Sequence, residues 1–226
     1  MSCPNFFEER KLWKKGYKYV VGLDEAGRGP LAGPVVAGAV MLKIFNFQFS
    51  IFNKFSMIQF SKIRDSKQLS PKKREEFYKL IIKSPFIEWG LGRVSEKVID
   101  KINIKNAAEL AMEKALQNLK SKIQNKKSKI FLIIDGNNIK NLKLKTYNLK
   151  LIIKGDEKVF SCAAASILAK VIRDRLMVKY DKKYPQYGFK QHKGYPTKFH
   201  LKMLKKQGIC KIHRKSFSPV KNYLKI

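Results

Sequence analysis

The chain has 226 residues, with 49 Lys and Arg against 17 Asp and Glu, a formal net charge of +32. Its 44% hydrophobic and 12% aromatic content excludes a disordered polyelectrolyte, and the length suits one large domain or one domain with an extension. The charge points to a polyanionic partner, nucleic acid first, although 41 of the 49 basic residues are lysine and compositional drift produces the same excess.

The N-terminal stretch MSCPNFFEERKLWKKGYK contains acids and no apolar core, so it does not read as a signal peptide. Residues 17–23 are β-rich and largely apolar, a buried strand, and Asp24 and Glu25 end it. Gly27-Arg-Gly-Pro-Leu-Ala-Gly33-Pro34 follows, then an apolar run over 35–42. The third glycine comes one residue late for a dinucleotide fingerprint, and a strand follows where that motif needs a helix. The pattern reads as a β-hairpin-like connection that brings backbone close to a ligand, with Arg28 aimed at phosphate or simply solvated. The uncharged stretch 29–42 is too short and too broken by proline to span a bilayer.

Ser70 as N-cap with Pro71 at the first position opens a helix. Residues 86–94 read as a strand, and 106–122 as a core-facing helix. Residues 130–134 form a clear buried strand ended by Asp135, with Gly136-Asn-Asn138 as a turn. A third strand over 149–155 is ended by Asp156, before a helix over 161–180 whose small residues Ala163-Ala-Ala165 suit close packing. From 182 to 226 there are 13 Lys and Arg, no acid, and interleaved aromatics, which suits backbone contact and stacking. The three cysteines are scattered with no CxxC pair, which fits a reducing, cytoplasmic setting; Cys210 and His213 lack a second pair for a metal. His192, His200 and His213 form no nucleophile–base pair and receive no catalytic role.

The informative minority is the acids. Asp24, Glu25, Asp135 and Asp156 stand at three strand ends, the edge where α/β sheets build ligand sites. Clustered carboxylates repel and are costly to desolvate, so a set of them makes sense around Mg2+ or Mn2+. Four can hold two ions about 3.5–4 Å apart, as phosphoryl-transfer nucleases do. Any one strand-end acid, Asp156 especially, could instead cap the next turn. Asp24 and Glu25 are neighbours, and strand neighbours point to opposite faces, so both reach one site only if the strand ends or twists between them.

The run Tyr19-Val-Val-Gly-Leu-Asp-Glu-Ala-Gly-Arg-Gly-Pro-Leu-Ala-Gly-Pro-Val35 resembles the signature of type 2 ribonuclease H, ribonuclease HII. Further blocks match in order: Asp65-Ser-Lys-Gln-Leu-Ser70, Ile134-Asp-Gly136, Lys154-Gly-Asp156, the stretch 163–174, Gly194-Tyr-Pro-Thr-Lys-Phe-His200 and His213-Arg-Lys-Ser-Phe217. The resemblance implies an α/β, RNase H-like fold, a mixed central sheet flanked by helices with a C-terminal helical extension. It divides the chain into a catalytic domain over 1–190 and a basic C-terminal segment over 191–226 packed on it. The implied activity is endonucleolytic cleavage of the RNA strand of RNA/DNA hybrids and incision at single ribonucleotides in duplex DNA. Two divalent ions, Mg2+ or Mn2+, would be held by Asp24, Glu25, Asp135 and Asp156, giving 5′-phosphate and 3′-hydroxyl ends.

By the same resemblance, Gly27, Arg28 and Gly29 sense the ribose 2′-OH and Tyr195 packs on the adjoining deoxyribose. Lys67 is a basic substrate contact. Asp174, on the helix over 161–180, reads as a residue behind the metal ligands or a structural partner rather than a ligand itself. The enzyme is expected to act as a monomer without an obligate protein partner and away from membranes. Two departures stand out. Gln68 follows Lys67 where the family usually has a second lysine. The Phe-rich segment 44–60 is longer than the family pattern and reads as a lid, a substrate-contacting hairpin or a drifted loop. A binding module without catalysis is the rival reading, but it leaves four strand-end carboxylates facing a polyanion unexplained.

Overall fold

The structure, a computed structural model, describes residues 3–43, 63, 66, 68–123 and 129–224. The Phe-rich segment and Lys67 lie outside the described residues. Strands β1 (Tyr19–Ala26), β2 (Val35–Leu42), β3 (Ile87–Val94), β4 (Ile130–Asp135) and β5 (Asn148–Ile152) form one sheet in the order β3-β2-β1-β4-β5. β1 pairs antiparallel with β2, as does β2 with β3, whereas β1, β4 and β5 run parallel. This is the mixed sheet the resemblance implies. The helices are α1 (Phe7–Lys14), α2 (Pro71–Lys83), α3 (Glu96–Lys120), α4 (Leu142–Lys145), α5 (Gly155–Lys158), α6 (Phe160–Lys183), α7 (Phe189–His192) and α8 (Lys198–Gln207). No described helix is long and apolar enough to cross a membrane.

Strand alternation divides the core between two long helices. Val21, Leu23, Ala37, Ala39 and Leu132 face the alanine-rich side of α3, while Val40 and Leu42 join Ala164, Ile167 and Leu168 of α6. Both helices come down onto bare backbone. A Cβ on Gly22 would sit 2.3 Å from the Ser161 carbonyl carbon, and one on Gly38 would sit 2.4 Å from the Ala165 oxygen. Across the sheet, Gly90 and Gly92 make the same room for α3. The sequence placed Ala163-Ala-Ala165 where close packing is needed, and the strand glycines are its counterpart.

Local signals hold at several ends. Ser70 Oγ accepts from the Lys73 N–H and Pro71 opens α2, as expected. Two expectations need correction. The helix read from residue 106 starts at Glu96 and is broken at Asn103 (φ 65°), whose Oδ1 accepts from the Asn106 N–H and so recaps the chain. The third strand stops at Ile152 rather than 155. Lys154 takes a left-handed conformation (φ 58°), which turns the chain and puts Asp156 in the one-turn helix α5 instead of at a strand end.

The C-terminal segment packs on the same body. Ile212 joins Ala32, Met177, Tyr187 and Phe189 in one cluster, and Leu204 and Val220 pack with Leu31. A single antiparallel bridge pairs Ala32 with His213.

Candidate active site

The last β1–β4 pair is Leu23 with Ile134. Asp24 and Asp135 are each one residue further, side by side where the β1–β4 pairing ends, while Asp24 stays paired with Gly38 of β2. Asp135 is in turn paired with Ile152, and Asp156 returns toward the same edge from α5. The Gly155 N–H donates to Asp135 Oδ1 at 2.8 Å, tying the turn before Asp156 to β4. One carboxylate oxygen from each of Asp24, Asp135 and Asp156 lies within 4.8 Å of the other two. Asp24 and Asp156 are buried.

The electrostatics follow from that crowding. Burial, then the charges of Glu25, Asp135 and Asp156, hold the Asp24 carboxyl well above the usual range, while a hydrogen bond from Ser166 acts the other way. Glu25 is outside the trio. It ion-pairs with Arg28 at 3.2 Å, and burial raises its carboxyl while Arg28 opposes the rise. Strand alternation therefore separates Asp24 from Glu25, yet Asp135 is close enough to raise both. Carboxylates that destabilise one another this way could hold a hard divalent cation, which would replace repulsion with attraction.

Beside the acids runs the glycine loop, closed as the β1–β2 connection from Ala26 to Val36. Its carbonyls are gripped from beneath by two fully buried arginines. Arg214 donates to the carbonyl oxygens of Gly27 (2.6 Å), Arg28 (3.0 Å) and Gly33 (3.0 Å), and Arg173 donates to those of Pro34 (3.0 Å) and Ala32 (3.1 Å). In a planar trans peptide the N–H opposes the preceding C=O. With the Gly27 and Arg28 carbonyls drawn toward Arg214, the Arg28 and Gly29 N–H groups point away from it. Gly27, at φ 103°, has no room for a side chain against Arg173. The Arg28 side chain is exposed, and a Cβ on Gly29 would lie 3.6 Å from the ring of Tyr195, itself 42% exposed. Glycine loop and Tyr195 are thus adjoining walls.

Asp174 stands away from the trio. It pairs with Lys170 (2.7 Å) and Arg74 (3.4 Å), and Arg74 donates to the carbonyls of Ser66 and Leu69, both at 2.8 Å. Ser66 Oγ is 2.9 Å from Ser166 Oγ, the side chain that bonds Asp24. Asp174 therefore connects toward Asp24 only indirectly, through Arg74, Ser66 and Ser166.

A sequence model of the family "Ribonuclease HII" matches residues 21–220. The chain belongs to the ribonuclease HII family. It is 47% identical to the ribonuclease HII of Caldicellulosiruptor bescii, over 98% of this chain and 97% of that one. It is also 47% identical to the ribonuclease HII of Acholeplasma laidlawii over the full length of both. Among solved structures, the ribonuclease H2 of Pyrococcus horikoshii OT3 superposes with a TM-score of 0.68 at 25% identity, covering 91% of this chain and 96% of that one. As a ribonuclease HII, the protein is a divalent-metal-dependent endoribonuclease acting on the RNA of RNA/DNA hybrids.

Sequence reasoning missed the supports of this ribonuclease HII site: Arg173, Arg214, Arg74 and Ser166. For two of them a signal exists. Ser166, Ala169, Arg173 and Met177 form one buried stripe of α6, so an arginine and a serine stand where the helix faces the sheet and the loop. Arg214 lies in an irregular segment with no such period.

Proposed function

We propose that this enzyme cleaves RNA in RNA/DNA hybrids and also incises duplex DNA at single embedded ribonucleotides, leaving 5′-phosphate and 3′-hydroxyl ends. The observation behind this reading is the carboxylate trio Asp24, Asp135 and Asp156, converging within 4.8 Å next to a glycine loop fixed by its carbonyls. The trio, with Glu25 as fourth carboxylate, would hold two Mg2+ or Mn2+ ions. Bound there, such ions supply Lewis acidity for the attacking water and the departing 3′-oxygen.

The chain's own part is placement. The Arg28 and Gly29 N–H groups meet the ribose 2′-OH, and Tyr195 packs against the next sugar. A site that pairs its donors with a hydroxyl leaves them unpaired over DNA, which penalises the wrong substrate. Arg28 and Lys67 take phosphate charge, and the lysine-rich surface supplies the unspecific grip. The basic segment 191–226 works as part of the catalytic body, since Tyr195 belongs to it. We read the working unit as a cytoplasmic monomer.

The test is cleavage of three labelled duplexes, RNA/DNA hybrid, DNA with one ribonucleotide, and all-DNA, with Mg2+ or Mn2+. Cutting of the first two and not the third, lost in Asp135→Asn, is expected. An intact single-ribonucleotide duplex under both metals refutes the second activity.

A further inference from the structure

Tyr195 is exposed, but its backbone is not free to settle. Its carbonyl oxygen accepts from the Thr197 N–H at 2.8 Å and from His200 Nδ1 at 2.9 Å. His200 Nε2 is 3.0 Å from His213 Nε2, and His213 Nδ1 accepts from the Cys210 N–H at 2.9 Å. His200 and His213 are both buried. Burial pushes the imidazoles down to about 4 and about 3, so both rings are neutral at working pH.

Neutrality fixes every proton in this chain. His213 Nδ1 is an acceptor, so its Nε2 bears the hydrogen. That hydrogen must go to His200 Nε2, which is then an acceptor. The His200 proton is left on Nδ1, where it donates to the Tyr195 carbonyl. Reversing either tautomer would set two N–H groups or two lone pairs against each other in a buried space, which is costly. His192 continues the support. Its Nδ1 accepts from the Gly194 N–H at 3.1 Å, its Nε2 meets the Tyr187 carbonyl at 2.7 Å, and its ring stacks on His200 with centroids 4.4 Å apart. His213 is also the residue before Arg214, which holds the Gly27 and Arg28 carbonyls.

We propose that the His213–His200 pair is a tautomer-locked strut that positions Tyr195 at a set distance from the glycine loop, and that ribonucleotide selectivity depends on it. His200 and His213 are positioning residues. They do not touch substrate, and they act through the Tyr195 backbone. Because His213 and Arg214 are consecutive, the two walls of the ribose slot are referred to one point on the C-terminal segment. The inference rests on the reading of Tyr195 given under Proposed function.

The experiment compares His200→Phe, His200→Asn, Tyr195→Ala and the double variant His200→Phe/Tyr195→Ala on the single-ribonucleotide duplex and the RNA/DNA hybrid. His200→Phe should lower kcat/KM on the single-ribonucleotide duplex about tenfold more than on the hybrid, the scale of a lost hydrogen bond and a displaced contact. His200→Asn, whose amide nitrogen stands near the position of Nδ1, should restore most of it. The double variant should be no worse than Tyr195→Ala, since the strut acts only through that residue. Equal losses on both substrates, or additive losses in the double variant, overturn the strut alone. A silent Tyr195→Ala overturns the reading of Tyr195 and the strut with it. Independently of folding in any variant, nitrogen-15 spectra of histidine-labelled parent protein should show Nδ1–H at His200 and Nε2–H at His213; the opposite tautomers refute the proposal.

Discussion

Asp135 Oδ1 accepts the Gly155 N–H at 2.8 Å, so the acid that ends β4 also holds the turn that delivers Asp156. Charge and hydrogen bond are separable here. Asparagine keeps the accepting oxygen and removes the charge. Asp135→Asn should therefore fold as the parent does and lose about a thousandfold or more of kcat, the scale of several kcal/mol of cation stabilisation. Because Asp135 raises the Asp24 carboxyl, the variant should also melt higher than the parent in EDTA, with the gain reversed once Mg2+ is added. Calorimetry in both media checks this.

Ser166 bonds Asp24 and lies 2.9 Å from Ser66 Oγ, so it orients an acid of the trio and links it to Ser66. Ser166→Ala should weaken Mn2+ binding about tenfold, at the lower end for the loss of a support behind a metal ligand. Mn2+ titration by electron paramagnetic resonance reads this directly. Unchanged affinity would remove Ser166 from the site.

Arg214 satisfies three loop carbonyls in a buried setting, a geometry that depends on its planar fork. Lysine can reach one of them. Arg214→Lys should cost about 2–4 kcal/mol by urea unfolding, since buried acceptors lose their partners. The Arg28 and Gly29 N–H directions are also released, so discrimination between the ribonucleotide and all-DNA duplexes should fall.

Gly38 pairs with Asp24 across β1 and β2 and lies under Ala165. A methyl group there meets backbone, which cannot swing aside as a side chain does. Gly38→Ala should cost about 1–3 kcal/mol as α6 shifts outward. The shift also moves Ser166, so the variant should bind Mn2+ more weakly than its stability loss alone explains.

Glu9 of α1 is buried, accepts from the Ser161 N–H at 2.9 Å, and leaves Oε2 without a hydrogen-bond partner among the described residues. Burial raises its carboxyl from 4.5 to about 7. The folded chain thus holds a proton there that the unfolded chain releases, so stability falls as pH rises from about 4.5 to 7. Glutamine imitates the protonated form. Glu9→Gln should match the parent near pH 4 and exceed it above pH 7, by up to about 3 kcal/mol at 1.36 kcal/mol per unit. Chemical denaturation across that range measures it.

How much could be read in advance depends on the range of the interaction. Asp24 and Asp135 were legible because a strand's apolar run and the acid that closes it are contiguous. The Ser70 cap was legible for the same reason. Asp156 was found, but its element was not, because Lys154 adopts a left-handed turn that no local preference of lysine announces. The break at Asn103 was missed likewise, although asparagine tolerates that region and can cap the next helical turn.

What the sequence by itself determined is the chemistry: a family signature, a basic body and a few acids that follow apolar runs. What only the tertiary structure decided is how that chemistry is held. Arg173 and Arg214 meet the glycine loop from positions 139 to 187 residues away along the chain, and the His200–His213 pair locks its protons only because both rings are buried together. Arg173 stands on the buried stripe of α6, but which carbonyls it and Arg214 reach is written in no local period of the sequence. Such contacts arise because a buried carbonyl or imidazole must find a partner, and the fold alone determines which residue is within reach.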